Sequence, residues 1–158
     1  DGAGAVQGVH RTWLAPDGQG KAAVETQRRA MGYLLGNAVR LTPHDDILVA
    51  GEGIETMLSL VEAVPGLPVW AALSSGHLGA LLLSEGLQRL YIAIDRDPAG
   101  QRAAERLSAR ATKAGVPVRV LEPLLGDFND DLLANGKEAL RQHLARQIGR
   151  EDRQRLLG

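Results

Sequence analysis

Four short apolar runs set the rhythm of the sequence from residue 47 onward: ILVA (47–50), LPVWAAL (67–73), LYIAI (90–94) and VPVRVL (116–121). Each is of strand length, and between them lie segments with helical spacing. IETMLSLVEAV (54–64) runs to Pro65-Gly66, and a leucine-rich stretch follows Ser74-Ser75-Gly76 to about Ser84. PAGQRAAERLSARATKA (98–114) is closed by Gly115, as helices commonly are, and a last helix is expected over about 136–148. Apolar strands alternating with helices imply βαβ units and a parallel sheet covered on both faces. Ligands of such sheets gather at the carboxyl ends of the strands, near the point where strand order reverses.

The first third has a different texture. VQGVHRTWL (6–14) alternates, APDGQG (15–20) is a turn cluster, and KAAVETQ (21–27) reads as a return strand. RRAMGYLLGNAVRL (28–41) is glycine-rich and lacks a regular pattern. The expected division is a small β-containing subdomain over 1–46, an α/β domain over 47–135, and a helix with a charged tail over 136–158. The tail GREDRQRLLG is expected to fray.

Composition narrows the class. With 44% hydrophobic but only 3% aromatic residues, Leu, Val, Ile and Ala must fill the core. No cysteine is present, which excludes a disulfide framework or thiolate metal site and points to the cytoplasm. No apolar run is long enough to span a membrane, and the start at Asp1 reads as a piece of a longer protein. A net charge of −1 does not mark a dedicated nucleic-acid binder, although it leaves local patches open.

Acidic residues follow the strands directly. Glu52 stands between two glycines just past ILVA, with Glu55 in the opening turn of the next helix, and Asp95 and Asp97 follow LYIAI. In an extended chain, residues two apart point to one side, so both aspartates can face one point. A capping reading also serves Asp97 ahead of Pro98, and a helix-dipole reading serves Glu55, as alternatives to metal binding. Asp95 has no capping role. Three gathered carboxylates repel unless a hard cation joins them, and Mg²⁺ suits because it takes oxygen ligands and shares its shell with phosphates. A further group, Asp127, Asn129, Asp130 and Asp131 in GDFNDDL, follows the fourth strand; a turn-and-cap reading serves it as well as metal binding.

GEGIET after the first strand and IDRDPAG after the third resemble the Toprim domain of primases, topoisomerases and some nucleases. GDFNDDL, EGIET and GVHRTWL resemble the plasmid- and phage-borne primase-type members. The resemblance implies a compact, Rossmann-like parallel sheet of about four strands with helices on both faces. It implies that Glu52 is a general acid/base or metal-adjacent carboxylate and that Asp95 and Asp97 hold Mg²⁺, or Mn²⁺ in its place. Asp127 and Asn129 would complete a second metal position. The implied activity is nucleotidyl transfer on single-stranded DNA, using nucleoside triphosphates, in a protein that works beside a helicase or further domains. A Toprim nuclease is the alternative, as is a non-catalytic DNA- or partner-binding module of a plasmid mobilisation or replication protein; the piece alone need not be active.

Basic residues fall in two groups. Lys21, Arg28, Arg29 and Arg40 make the first third locally basic, where Lys21, Arg28 and Arg40 are candidates for holding nucleotide or template. Arg102, Arg106, Arg110 and Lys113 form one stripe on the long helix, either a solvated face or a phosphate track for which Arg102 and Arg106 are candidates. The four histidines lack zinc-type spacing, with His77 best read as a helix-start residue. Tyr91, inside a strand, is poorly placed as a DNA-cleaving nucleophile. GQGK (18–21) lacks the spacing of a P-loop.

Overall fold

The computed structural model describes residues 5–158. Strands β1 (Gly8–Thr12) and β2 (Arg28–Gly32) form an antiparallel ribbon of their own. The central sheet takes β3 (Val39–Arg40), β4 (Ile47–Gly51), β5 (Val69–Ala71), β6 (Arg89–Ala93) and β7 (Val118–Leu121), in the order β3-β5-β4-β6-β7. The last four are parallel to one another, and β3 closes one edge antiparallel to β5. Helices α1 (Ile54–Ala63), α2 (Ser75–Ala80), α3 (Pro98–Lys113), α4 (Phe128–Gln147) and α5 (Arg150–Leu157) cover it.

Every residue of β4 is buried, because alternate side chains enter two separate cores. Ile47 and Val49, with Tyr91 and Ala93, meet Met57 and Leu60 of α1, Phe128 and Leu144 of α4, and Leu156 of α5. Leu48 and Ala50, with Leu90 and Ile92, meet Leu78 of α2 and Ala103, Leu107 and Ala111 of α3. This is the α/β sheet with helices on both faces that the alternating pattern predicts, extended by the antiparallel strand β3.

Several local expectations differ. The return strand of the ribbon is Arg28–Gly32, in register Thr12↔Arg28 to Gly8↔Gly32, and not KAAVETQ. The Leu14↔Lys21 bridge and the bond from the Trp13 amide to the Gln27 carbonyl (3.0 Å) spend residues 15–27 in an excursion inside the turn. Helix α2 stops at Ala80, and the chain then turns so that the Leu82 amide meets the Gly36 carbonyl at 2.9 Å. Helix α4 begins at Phe128, eight residues before the periodic segment, and is interrupted at Gly136 (φ 79°).

The tail does not fray. Leu156 is buried, and the Tyr91 hydroxyl donates to Asp152 at 2.5 Å while accepting the Gly149 amide at 3.1 Å. The Arg89 guanidinium adds a 2.9 Å contact to Asp152, and Arg155 pairs with Asp46 at 2.5 Å. Burial, then the Asp152 hydrogen bond, push the Tyr91 phenol up to about 12.

The connections fix where a ligand belongs. From β4 the chain passes through α1 to β5 on one side, then returns through α2 to β6 on the other side of β4 and continues to β7. Strand order therefore reverses between β4 and β6, and the crevice lies at their carboxyl ends.

Candidate metal centre

Glu52 and Asp95 leave the sheet at that crevice, one after β4 and one just beyond β6. The turn after β4 is tight: a Cβ on Gly51 would stand 2.2 Å from Met57 Sδ and 3.0 Å from the Ala93 carbonyl oxygen. The Glu52 carboxylate accepts the backbone amide of Ser75, at the start of α2, and its carbonyl accepts the Leu73 amide at 2.8 Å. Leu73 is the one non-glycine residue with positive φ among the described residues (78°), so the turn that aims Ser75 at Glu52 is held under strain.

Asp97 caps α3 through Oδ1, which accepts the Gly100 amide at 2.6 Å, and its other carboxylate oxygen makes no hydrogen bond among the described residues. Asp127 does the same for α4, accepting the Asp130 amide at 2.8 Å. The loop between β7 and α4 is bonded to the chain between Asp95 and Asp97. The Arg96 amide donates to the Gly126 carbonyl and the Arg96 guanidinium to the Leu124 carbonyl, both at 2.8 Å. Asp131, 1% exposed, accepts the amides of Leu124 and Leu125 at 2.8 Å each. It is a loop anchor, whereas its neighbour Asp130 lies beside the acids.

These acids feel one another. Burial, then the charges of Glu52, Asp127, Asp97 and Asp130, raise the Asp95 carboxyl to about 6. Burial also raises Glu52, which the Ser75 amide opposes and the Asp97 charge reinforces. Among the described residues, none of the five carboxylates has an ion-pair partner, and Asp95 Oδ1 is buried with no hydrogen bond.

A divalent cation fits this donor set. All the donors are hard carboxylate oxygens, one of them orphaned, and no lysine or arginine neutralises them. No three of the described His, Asp or Glu side chains stand close enough to chelate an ion by themselves. The centre is open, which suits an ion that keeps waters and takes ligand phosphates as part of its shell.

The other candidates lie at varied distances from the acids. Asn129 turns toward α1, where its Oδ1 accepts the Ser59 hydroxyl at 3.2 Å. Arg28 (2.5 Å) and Lys21 (3.5 Å) both pair with Glu55, three residues beyond Glu52, so the ribbon brings its bases against the opening turn of α1. Burial pushes Glu55 up, but its own backbone amide, Arg28 and Lys21 hold it below the ordinary value. Arg40 stacks over Trp70 at 4.6 Å, away from the acids. Arg102 is exposed on α3, Arg106 packs its stem against Gly79, and Arg110 donates to the Gly79 and Leu81 carbonyls at 3.2 and 2.8 Å. That stripe is therefore partly spent on holding α2. His77 does sit in the first turn of α2, its amide capped by Ser74.

Sequence reasoning gave no role to Ser75, whose contribution is a backbone amide, and left Asp130 among four similar residues. The position just after β5, a third strand ending at the crevice, was the one signal for Ser75.

Comparison with known proteins agrees with this architecture. The Toprim domain family matches residues 47–138, and a domain of unknown function matches residues 1–41. No curated protein matches the chain. The fold is similar to the crystal structure of the Aquifex aeolicus primase zinc-binding and RNA polymerase domains (TM-score 0.64, 21% identity, covering 94% of this chain and 38% of that one). It is also similar to the primase fragment of the bacteriophage T7 primase-helicase protein (0.60, 15%, 90% and 62%). A DNA primase domain from Pseudomonas aeruginosa is a third (0.59, 18%, 89% and 51%). At these identities the likeness is one of fold, and the chain spans less than two thirds of each of these relatives. No helix among the described residues is long and apolar enough to cross a membrane. With its parallel sheet, the glutamate after β4 and the paired aspartates after β6, the chain belongs to the Toprim domain family.

Proposed function

We propose that this chain is the Toprim catalytic part of a primase-type replication protein, performing Mg²⁺-dependent nucleotidyl transfer on single-stranded DNA. The observation that carries the reading is the group of carboxylates at the switch point that lack any cationic partner among the described residues, on a fold similar to primase domains. Asp95 and Asp97 would hold the ion, and Asp127, through the oxygen its cap leaves free, would hold a second or its waters; Asn129 would join through waters. A Mg²⁺ or Mn²⁺ ion held there would supply the means to lower the pKa of an attacking 3′-hydroxyl and steady the triphosphate for in-line displacement. Glu52, raised by burial and bonded to the Ser75 amide, would accept that hydroxyl proton. Lys21 and Arg28, paired with Glu55 three residues beyond Glu52, would exchange that partner for triphosphate oxygens. Arg40, Arg102 and Arg106 would serve template further out. Helicase or further domains of a parent chain would be the partners, in the cytoplasm of a plasmid- or phage-bearing cell.

The test is primer synthesis on single-stranded DNA with labelled nucleotides and Mg²⁺, comparing the protein with Glu52→Gln and Asp95→Asn. Loss of product in both variants is expected. Products surviving both would sink the site, and strand cleavage without synthesis would convert the reading to a nuclease.

A further inference from the structure

The β1–β2 ribbon has two unlike faces. One carries His10, which lines a cleft of about 220 Å³ against Arg40 and Leu73, and Arg28, which reaches Glu55. The other carries Val9 opposite Met31 and Arg11 opposite Arg29. Like charges directly opposite across a two-stranded ribbon destabilise it, and among the described residues neither arginine has a carboxylate partner. Instead the Arg11 guanidinium lies over the Trp13 ring, 5.5 Å from its centre. This face is also apolar and open: Val9 is 54% exposed, Met31 67% and Trp13 38%, and Tyr33, just past β2, is 82% exposed.

We propose that this outer face binds single-stranded nucleic acid, with Trp13 as a stacking platform and Arg11 and Arg29 holding phosphates; its biological sense rests on the proposal that single-stranded DNA is the substrate. Charge complementarity selects the occupant. Residues 5–40 carry five Lys and Arg against two Asp and Glu, whereas the whole chain is at −1. A polyanion relieves the opposed arginines, and an unstacked base covers an aromatic ring already flanked by a guanidinium. A duplex cannot offer its bases to that ring. From Trp13 at one end to the pairing of Tyr33 with Gln7 at the other, the ribbon extends about 20 Å, enough for several nucleotides of an extended strand. The face points away from the carboxylates, so it guides a strand without touching the reacting atoms.

The chain carries its own reporter, because Trp13 and buried Trp70 are its two tryptophans. The 158-residue chain is titrated with a short oligodeoxythymidylate in EDTA at low salt. Emission is expected to fall, and Trp13→Phe is expected to remove that response. The Arg11→Ala/Arg29→Ala pair is expected to weaken binding roughly ten-fold or more and to reduce the salt slope by about 0.7 for each phosphate no longer neutralised. Arg11→Lys/Arg29→Lys is expected to restore most of it. Absence of quenching, binding indifferent to the alanine pair, or equally tight binding of blunt duplex each overturns the proposal. The readout needs no metal or turnover: synthesis without quenching overturns this face and spares the catalytic reading, while quenching without synthesis does the reverse.

Discussion

Gly100 lies directly beneath Asp95: a Cβ at Gly100 would stand 2.7 Å from the Asp95 carbonyl oxygen and 3.3 Å from its amide nitrogen. The first turn of α3 therefore packs against the backbone that presents this half-buried carboxylate. Gly100→Ala must move one or the other. It is expected to cost about 1–3 kcal/mol of stability and to weaken divalent-ion binding, read by urea melts and by Mg²⁺-induced stabilisation of the same samples.

Asp95 sets a pH dependence of definite sign. Its carboxyl is raised from 3.8 to about 6 in the folded chain, so the native state binds the proton more tightly than the unfolded one. The group's contribution is fully present below the unfolded value, declines as pH rises from 3.8 toward about 6, and is gone above it. Asp95→Asn should match the parent protein at about pH 4 and exceed it at pH 7–8 by about 1–2 kcal/mol, discounted for the half-exposed position. Mg²⁺ should stabilise the parent protein and not the variant, an outcome that thermal melts at both pH values with and without the ion would check.

Asp131 holds the loop that carries Asp127. Asp131→Ala strips two amides of their shared acceptor, at an expected cost of about 2–4 kcal/mol. Synthesis should fall even at temperatures where circular dichroism shows the variant folded, because the cap at Asp127 loses its support.

The exposed pairs of Glu55 with Arg28 and Lys21 contribute little by comparison. Glu55→Ala should change stability by less than about 1 kcal/mol, an effect that vanishes in high salt. A larger loss in a denaturant titration would mean that the ribbon is held to the sheet chiefly by these two ion pairs.

Tyr91→Phe removes the hydroxyl's two bonds, to Asp152 and Gly149, while leaving the ring in its core. A loss of about 1–3 kcal/mol is expected from the unpaired Gly149 amide and the half-satisfied Asp152. Melts at pH 7 of Tyr91→Phe, Asp152→Asn and the double variant should show non-additive losses.

The strands β4 to β7 and the helices α1 and α3 were legible because local pattern and tertiary place agree there, and the strand-end positions of Glu52, Asp95 and Asp97 follow from them. Apolar runs became buried strands, and Asp97-Pro98 became a cap. Strand β2 was not legible, since RRAMG has no apolar alternation and is paired only through register with β1. The start of α4 was hidden because its first turn is written in Asp and Asn, residues that equally spell a turn. One of them caps, one meets Ser59, and one turns inward onto two loop amides. Helix α5 looks like a polar tail, and what fixes it is buried Leu156 together with its bonds to Tyr91, Arg89 and Asp46. Ser75 acts through its backbone, which no side-chain pattern announces.

The docking of α5 separates two boundaries that are easily taken as one. The family match ends at residue 138, yet Leu140, Leu144, Ile148 and Leu156 complete the core beneath β4 and β6. A piece trimmed to the family boundary would keep every clustered carboxylate and strip the second half of α4 and all of α5 from the face of the sheet that they share with α1. The core that backs those carboxylates is longer than the segment that identifies the family.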